Sequence, residues 1–101
     1  SAVYAELLGY VEQHGVSLAE CGVGYLGLPE TFARQFLSLL VQHNVQPIGM
    51  DVWRHTSRGF SNDALAGWGA SSATLGTTHQ DALDVLAAAR LGPRDLVSFQ
   101  F

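Results

Sequence analysis

The spacing of apolar residues changes several times along the chain, and each spacing predicts one kind of element. Helical spacing marks residues 3–14, 29–43 and 79–91, where apolar side chains recur every three or four positions. Alternation marks residues 47–54, extendable to 56, and residues 95–101 as strands. Three helices packed on a small sheet is the simplest arrangement that buries these apolar faces.

Residues suited to helix ends support these boundaries. Gly15 follows the first helical pattern as a stop signal. Pro29 and Glu30 suit the first turn of the second helix, because proline fits there and an acid favours the positive end of the helix dipole. Thr78 with Asp81 three residues later is a variant of the capping box, and it predicts the start of the third helix.

The segments between these elements are less regular. Residues 17–28 carry interspersed glycines and predict a short strand or an irregular crossing. A turn at residues 57–59 leads into a possible return strand at 60–68, which Asn62 and Asp63 weaken, and residues 67–76 read as a loop. The predicted fold is therefore a single α+β domain, residues 1–101, with a small mixed, mainly antiparallel sheet packed by about three helices.

Composition narrows the class of protein. Apolar residues make up 48% of the 101 residues and charged residues only 14%, which is typical of a folded domain with one core. The net charge of −4, with no lysine and five scattered arginines, argues against a nucleic-acid binder. The chain has no apolar run long enough to span a membrane, so no membrane partner is expected.

The single cysteine bears on the compartment. Cys21 has no second cysteine with which to form an internal disulfide, and this favours a reducing environment. The first residues lack a basic region followed by an apolar block, so no signal peptide is expected. We therefore expect a cytoplasmic protein.

The strand at residues 47–54 has two different faces. One face carries three apolar side chains: Ile48, Met50 and Val52. The other carries a glycine, a carboxylate and an indole: Gly49, Asp51 and Trp53. A carboxylate inside an apolar strand requires a partner, and Arg54, Arg58 or a backbone amide could serve. A structural ion pair and a recognition role both remain open for Asp51. Trp53 lies opposite the apolar face, and both exposure and core packing remain open for it.

Catalytic and metal sites have little support in the sequence. No spacing brings Cys21 together with any of the four histidines, so a small buried side chain is the favoured interpretation of this cysteine. Asp51 and His55 lie about 13 Å apart along a strand, too far to share an ion. Asp51 and Asp63 could approach each other across a hairpin, although Asp63 also suits a turn. We expect no metal and no other cofactor.

The same strand carries a resemblance to a known protein family. The segment from Ile48 to Trp53, followed by a turn and residues 63–68, resembles immunity protein family 40 of bacterial polymorphic-toxin systems. That family has a Gly-Gly-Asp-Val motif and an aromatic residue after a helix, with a tryptophan further along. Here Met50 stands at the place of the second glycine, and the residues before Trp68 are Ala-Gly instead of Asp-Asn.

The resemblance covers residues 17–68 and only weakly the rest. It implies a small antitoxin without catalytic activity, which binds a cognate toxin domain tightly and blocks it in the producing or a neighbouring cell. Tryptophan is a frequent anchor in such interfaces, because it contributes much contact area at little entropic cost. The predicted partner-binding residues are Asp51, Trp53, Arg54, His55, Asp63 and Trp68.

The sequence also allows two other classes of function. A small enzyme could use Cys21 or an Asp–His pair, and a Cys–His distance within hydrogen-bond reach would favour it. An oligomerisation or scaffold domain could use the edge of the strand at residues 95–101, which would pair with another chain if uncovered and would allow a homodimer.

Overall fold

The computed structural model describes residues 1–67 and 78–101 and confirms an α+β fold. Its helices and strands follow one another in this order: α1 (Ala2–His14), β1 (Val16–Ser17), β2 (Leu26–Gly27), α2 (Glu30–Gln42), β3 (Gly49–Thr56), β4 (Gly59–Asn62), α3 (His79–Ala89) and β5 (Leu96–Gln100). A short 3₁₀ helix, Ala19–Cys21, lies between β1 and β2. The three predicted helices and both predicted main strands are present.

The strands form two small antiparallel sheets. The larger has the order β4-β3-β5, so β3 is central and pairs on one side with its hairpin partner and on the other with the distant β5. The smaller sheet pairs β1 with β2. A bridge between Leu28 and Val97, with backbone hydrogen bonds of 2.7 and 2.8 Å, joins the two sheets. Every pairing among the described residues is antiparallel, as expected for a sheet predicted to be mainly antiparallel.

The main core lies between one face of β3 and β5 and the helices. Phe36 and Leu40 of α2 and Leu86 of α3 pack with Met50 and Val97 of the sheet, and all five are buried. The helices begin and end where the sequence predicts. Thr78 and Asp81 form the predicted capping box, in which each side chain accepts a hydrogen bond from the other's backbone N–H.

A second, smaller cluster covers the opposite face of β3. Trp53 packs there with Leu18, which directly precedes the 3₁₀ helix, and with Leu96 of β5. Phe60 and Cys21 surround the three buried side chains. Both faces of β3 are therefore covered at Trp53, and of the two alternatives that the sequence left open for this side chain, the structure has core packing.

Ile48 departs from the predicted alternation and is 50% exposed. Its N–H donates to the carbonyl oxygen of Gln100 at 2.8 Å, and Gly49 is also paired with Gln100. Two residues thus oppose one, as in a β-bulge, and the strand loses its alternation at this point. The prediction that Ile48 faces the core is wrong for this reason.

The return strand is shorter than predicted. It ends at Asn62, and residues 63–67 form a turn in which Asp63 accepts the backbone N–H of Ala66 and Gly67. The short polar residues that weakened the strand pattern therefore mark its end. The predicted loop at 67–76 and Trp68 lie, apart from Gly67, outside the described residues.

Candidate interaction surface

Trp53 is held inside the protein by its apolar neighbours and by one hydrogen bond. Its side chain is 5% exposed, and Nε1 donates to Oγ of Ser98 at 2.9 Å. Ser98 is itself buried on the neighbouring strand β5. Because the indole N–H has a partner within the protein and the ring is enclosed, Trp53 offers no contact area to a partner in this conformation.

Asp51 finds a different partner from those that the sequence suggested. Its Oδ2 accepts a hydrogen bond of 2.6 Å from the Gln100 amide, and its Oδ1 accepts one of 3.4 Å from the Asn62 amide. Neither Arg54 nor Arg58 bonds to it among the described residues. The half-buried carboxylate is thus held by two neutral side chains, one from each neighbour of β3, and the ion pair that the sequence allowed does not form among the described residues.

Arg54 forms the centre of a network that we call the Arg54 network: Arg54, Asp63, Asp95 and the Ala89 carbonyl. Its Nε donates to Asp63 and its Nη1 to Asp95, each at 3.1 Å, and its Nη2 donates to Ala89 O at 2.6 Å. Burial lowers the pKa of Arg54, but the hydrogen bonds with Asp63 and Asp95 outweigh it and raise the pKa above its ordinary value. The guanidinium therefore joins β3 to the end of α3.

Asp95 is the more enclosed acid of this network, with 13% of its side chain exposed. It also accepts the backbone N–H of His55 at 2.9 Å and of Gly92 at 2.7 Å. Burial raises the pKa of Asp95, but these two backbone donors and the Arg54 guanidinium together hold the pKa below its ordinary value. Sequence reasoning did not identify this residue.

The lowered pKa of Asp95 predicts a loss of stability in acid. A carboxyl whose pKa is lower in the folded than in the unfolded state stabilises the protein near neutrality, and this contribution disappears as the pH falls through the lowered folded-state pKa. We expect Asp95→Asn to lower the free energy of unfolding at pH 7, and to show a smaller fall than the native chain between pH 7 and pH 3. Urea unfolding at pH 7 and at pH 3 measures this difference between the variant and the native chain.

Asp84→Asn serves as the control, because Asp84 is exposed on α3 and bonds only to the Gln80 amide among the described residues. It should keep the acid-induced fall of the native chain. An equal fall in Asp95→Asn and the native chain would show that Asp95 does not carry the effect.

The remaining predicted residues fall into two groups. Asp63 is engaged with Arg54, so both mainly serve the fold. The side chain of His55 is exposed and lies edge-on to Phe60, with ring centroids 5.4 Å apart. Arg54 therefore links Asp63 to Asp95, and the backbone N–H of His55 also donates to Asp95. Asp51 lies in a separate cluster.

The groups considered for catalysis have other partners. The Cys21 thiol donates to the Phe60 carbonyl oxygen at 3.0 Å, and no hydrogen bond joins it to a histidine in the described part of the chain. His14 stacks on Phe32, and His43 bonds to Glu6 at 3.0 Å. Among residues 1–67 and 78–101, no three metal-binding side chains come together to hold an ion.

An apolar groove on another side of the molecule is the feature that sequence reasoning missed. It encloses about 520 Å³ between α1, the segment around β2, and the end of β5. Its rim carries Tyr4, which is 66% exposed, Phe101, which is 61% exposed, and the partly exposed Leu8 and Tyr25. No charged side chain of the described residues lines it, and its deeper wall includes the buried core residue Phe36.

The groove forms because β2 and β5 separate after they meet. They exchange backbone hydrogen bonds only where Leu28 faces Val97, and beyond this bridge Tyr25 and Leu26 line one side while Phe99 and Phe101 line the other. Helix α1 closes the third side but buries only Leu7. The broad apolar stripe of α1 and the alternating aromatics of the last strand were visible in the sequence, yet only the fold shows that they meet.

Among the described residues, no helix is both long and apolar enough to cross a membrane. Comparisons with models of protein families, with curated proteins and with solved structures find no match to this chain.

Proposed function

We propose that this chain is a non-catalytic binding protein of the immunity type, which occupies and blocks a cognate toxin domain. The observation that carries the proposal is the cluster of exposed apolar and aromatic side chains around the groove. Contiguous exposed apolar surface of this kind is typical of interaction sites. The groove, lined by the α1 stripe and by the ends of β2 and β5, is the proposed centre of the contact.

The chemistry of the rim suits a protein partner. Aromatic side chains such as Tyr4, Tyr25 and Phe101 are enriched in interfaces, where they supply a large contact area for few rotatable bonds. Charged residues are depleted from the centres of interfaces, and in the described part of the chain none lines this groove. The polar network around Arg54 lies outside the groove and would hold the scaffold rigid, which lowers the entropic cost of binding.

The proposed role without catalysis is supported by how the reactive side chains are used. Cys21 donates to a backbone carbonyl, and the Arg54 network uses its charges within the fold. The cognate toxin domain would meet the chain in the cytoplasm, where Cys21 would stay reduced. Asp51 and His55 stay predicted contacts, whereas the burial of Trp53 makes it a structural residue.

The test is co-expression with the gene next to that of this chain, if that gene encodes a large secreted protein with a variable C-terminal domain. We expect the chain to protect bacteria that express this domain and to bind it in isothermal titration calorimetry. Tyr25→Ser and Leu8→Ser should each weaken binding at least about tenfold, because both side chains lie at the rim of the groove. Far-UV circular dichroism checks that the variants remain folded.

Val41→Ser is the matched control. Val41 is 53% exposed, compared with 42% for Leu8, and it also lies on a helix, but it does not line the groove. It should bind within about twofold of the native chain, since isolated surface substitutions usually have small effects. A chain that neither binds the domain nor protects the cells would contradict the proposed function, and equal binding by all three variants would contradict the placement of the contact.

A further inference from the structure

The edge of β5 that borders the groove has free backbone groups. Val97 exchanges hydrogen bonds with Leu28, so its N–H and C=O point away from β3. The direction of hydrogen bonding alternates along an antiparallel strand, and the backbone groups of Phe99 therefore point the same way as those of Val97. Within residues 1–67 and 78–101, no other backbone group pairs with Phe99 on this edge.

The opposite wall of the groove also has backbone groups that point away from their paired strand. On the β1 side of the small sheet, the N–H of Leu18 donates to Tyr25 O at 3.0 Å. The alternation then directs the N–H and C=O of Leu26 away from β1, towards the side on which Leu28 meets β5. The groove is therefore bordered on two sides by strands whose unpaired backbone groups could accept another strand.

We propose that the groove receives an extended apolar segment of the partner protein, which adds to β5 as a further antiparallel or parallel strand at Phe99. This inference rests on the proposed function and specifies how the partner binds. Strand addition would supply main-chain hydrogen bonds from Phe99, while alternate side chains of the segment enter the space between Tyr25 and Phe101. The segment must be uncharged where it enters, because no charged side chain among residues 1–67 and 78–101 lines the groove.

A charged residue next to the groove indicates what flanks the segment. Glu12 is exposed and follows the groove residue Leu8 by four positions on α1, so the two side chains are neighbours on the helix. Glu12 forms no ion pair in the described part of the chain. A basic residue beside the apolar segment would complement this carboxylate, as the overall charge of −4 also favours.

A second copy of this chain fits the edge less well. The bridge between Leu28 and Val97 already covers part of β5, so pairing of β5 with its own copy would use only the short stretch from Phe99 onward. Stable dimers bury about 800 Å² on each partner, far more than one short strand provides. Glu12, next to the groove, would also be close to another acidic molecule.

The probe is a capped heptapeptide with valine at its second, fourth and sixth positions, threonine at the third and fifth, and lysine at both ends. Titration into the full chain is followed by amide NMR. We expect shifts at Leu26, Phe99 and Phe101, and an increase of about tenfold or more in the protection of the Phe99 amide from hydrogen exchange. Glu12→Gln should weaken the binding of this peptide by about twofold to fivefold.

Two N-methylated forms of the peptide provide the decisive comparison. One carries methyl groups on the valine amides and the other on the threonine amides, so each blocks a different edge of the added strand. Strand addition predicts that one form binds at least about tenfold more weakly, while the other binds within about twofold of the parent. Equal binding by both forms, or no shift at Phe99 with millimolar peptide, would overturn the inference.

Further experiments distinguish the proposed strand from other molecules that could occupy the groove. Octanoate that shifts the groove amides as strongly as the peptide, without protecting Phe99, would assign the groove to small apolar ligands and overturn the strand. Protection of Phe99 that rises with protein concentration alone, together with a dimer in light scattering, would assign it to a second copy. If the toxin domain binds through the groove but leaves the Phe99 amide unprotected, the proposed function stands and this inference fails.

Discussion

Trp53→Ala lowers the free energy of unfolding by about 3–5 kcal/mol, the expected cost of removing a large aromatic side chain from a closed cluster. The cavity would lie between Leu18, Leu96 and the sheet, where the indole is now 5% exposed. The substitution also leaves the buried hydroxyl of Ser98 without the N–H that it accepts. Urea denaturation followed by far-UV circular dichroism measures the loss.

Trp53→Phe separates packing from hydrogen bonding. It keeps most of the apolar volume but removes the indole N–H, so we expect a loss of about 1–2 kcal/mol. Because the side chain does not reach the surface, the folded Trp53→Phe variant should bind a toxin domain as tightly as the native chain. A marked loss of affinity in a stable Trp53→Phe variant would instead restore this residue as a contact.

Arg54→Ala is expected to lower the free energy of unfolding by about 2–3 kcal/mol. The change removes both ion pairs and the bond to the last turn of α3, and it leaves Asp63 and Asp95 without their cation. Water replaces part of the lost interaction, because 30% of the side chain is exposed. Urea unfolding at pH 7 gives the difference.

Two further variants, Arg54→Lys and Arg58→Ala, test whether the loss of stability comes from the hydrogen bonds of the Arg54 guanidinium. Lysine keeps the charge but lacks the planar fork that bonds to three acceptors at once, so about 1–2 kcal/mol should still be lost. Arg58 lies in the exposed turn and forms no ion pair among the described residues, so its removal should change stability by less than about 0.5 kcal/mol. Equal effects of Arg54→Ala and Arg58→Ala would contradict the structural role of Arg54.

The helices could be predicted because their signals are local. The capping box at Thr78, the proline before α2 and the glycine after α1 each act on neighbouring backbone groups, and the structure places the ends of the helices there. Strand β3 was predictable for the same reason. The bulge at Ile48 was not, because it depends on the way in which Gln100 of a distant strand is paired.

The environments of individual side chains could not be predicted, because they depend on contacts between residues far apart in the sequence. Trp53 is buried by residues near 18 and 96, and Asp51 is held by Asn62 and Gln100. Alternation indicates which face a residue occupies but not what covers that face. The groove was unpredictable for a related reason, since α1, β2 and β5 contribute short stretches that carry no motif of their own.

The position of β3 in the sheet has a consequence for biosynthesis. Its partner on one side, β4, follows within a few residues, but its other partner, β5, is made only after α3. A nascent chain that has reached α3 can therefore form the hairpin while the other edge of β3 still lacks its pairing strand. Because isolated hairpins are marginally stable, we expect cooperative folding to wait until residues 96–100 have left the ribosome. Until then, the uncovered edge is the part of the chain most exposed to mispairing during translation.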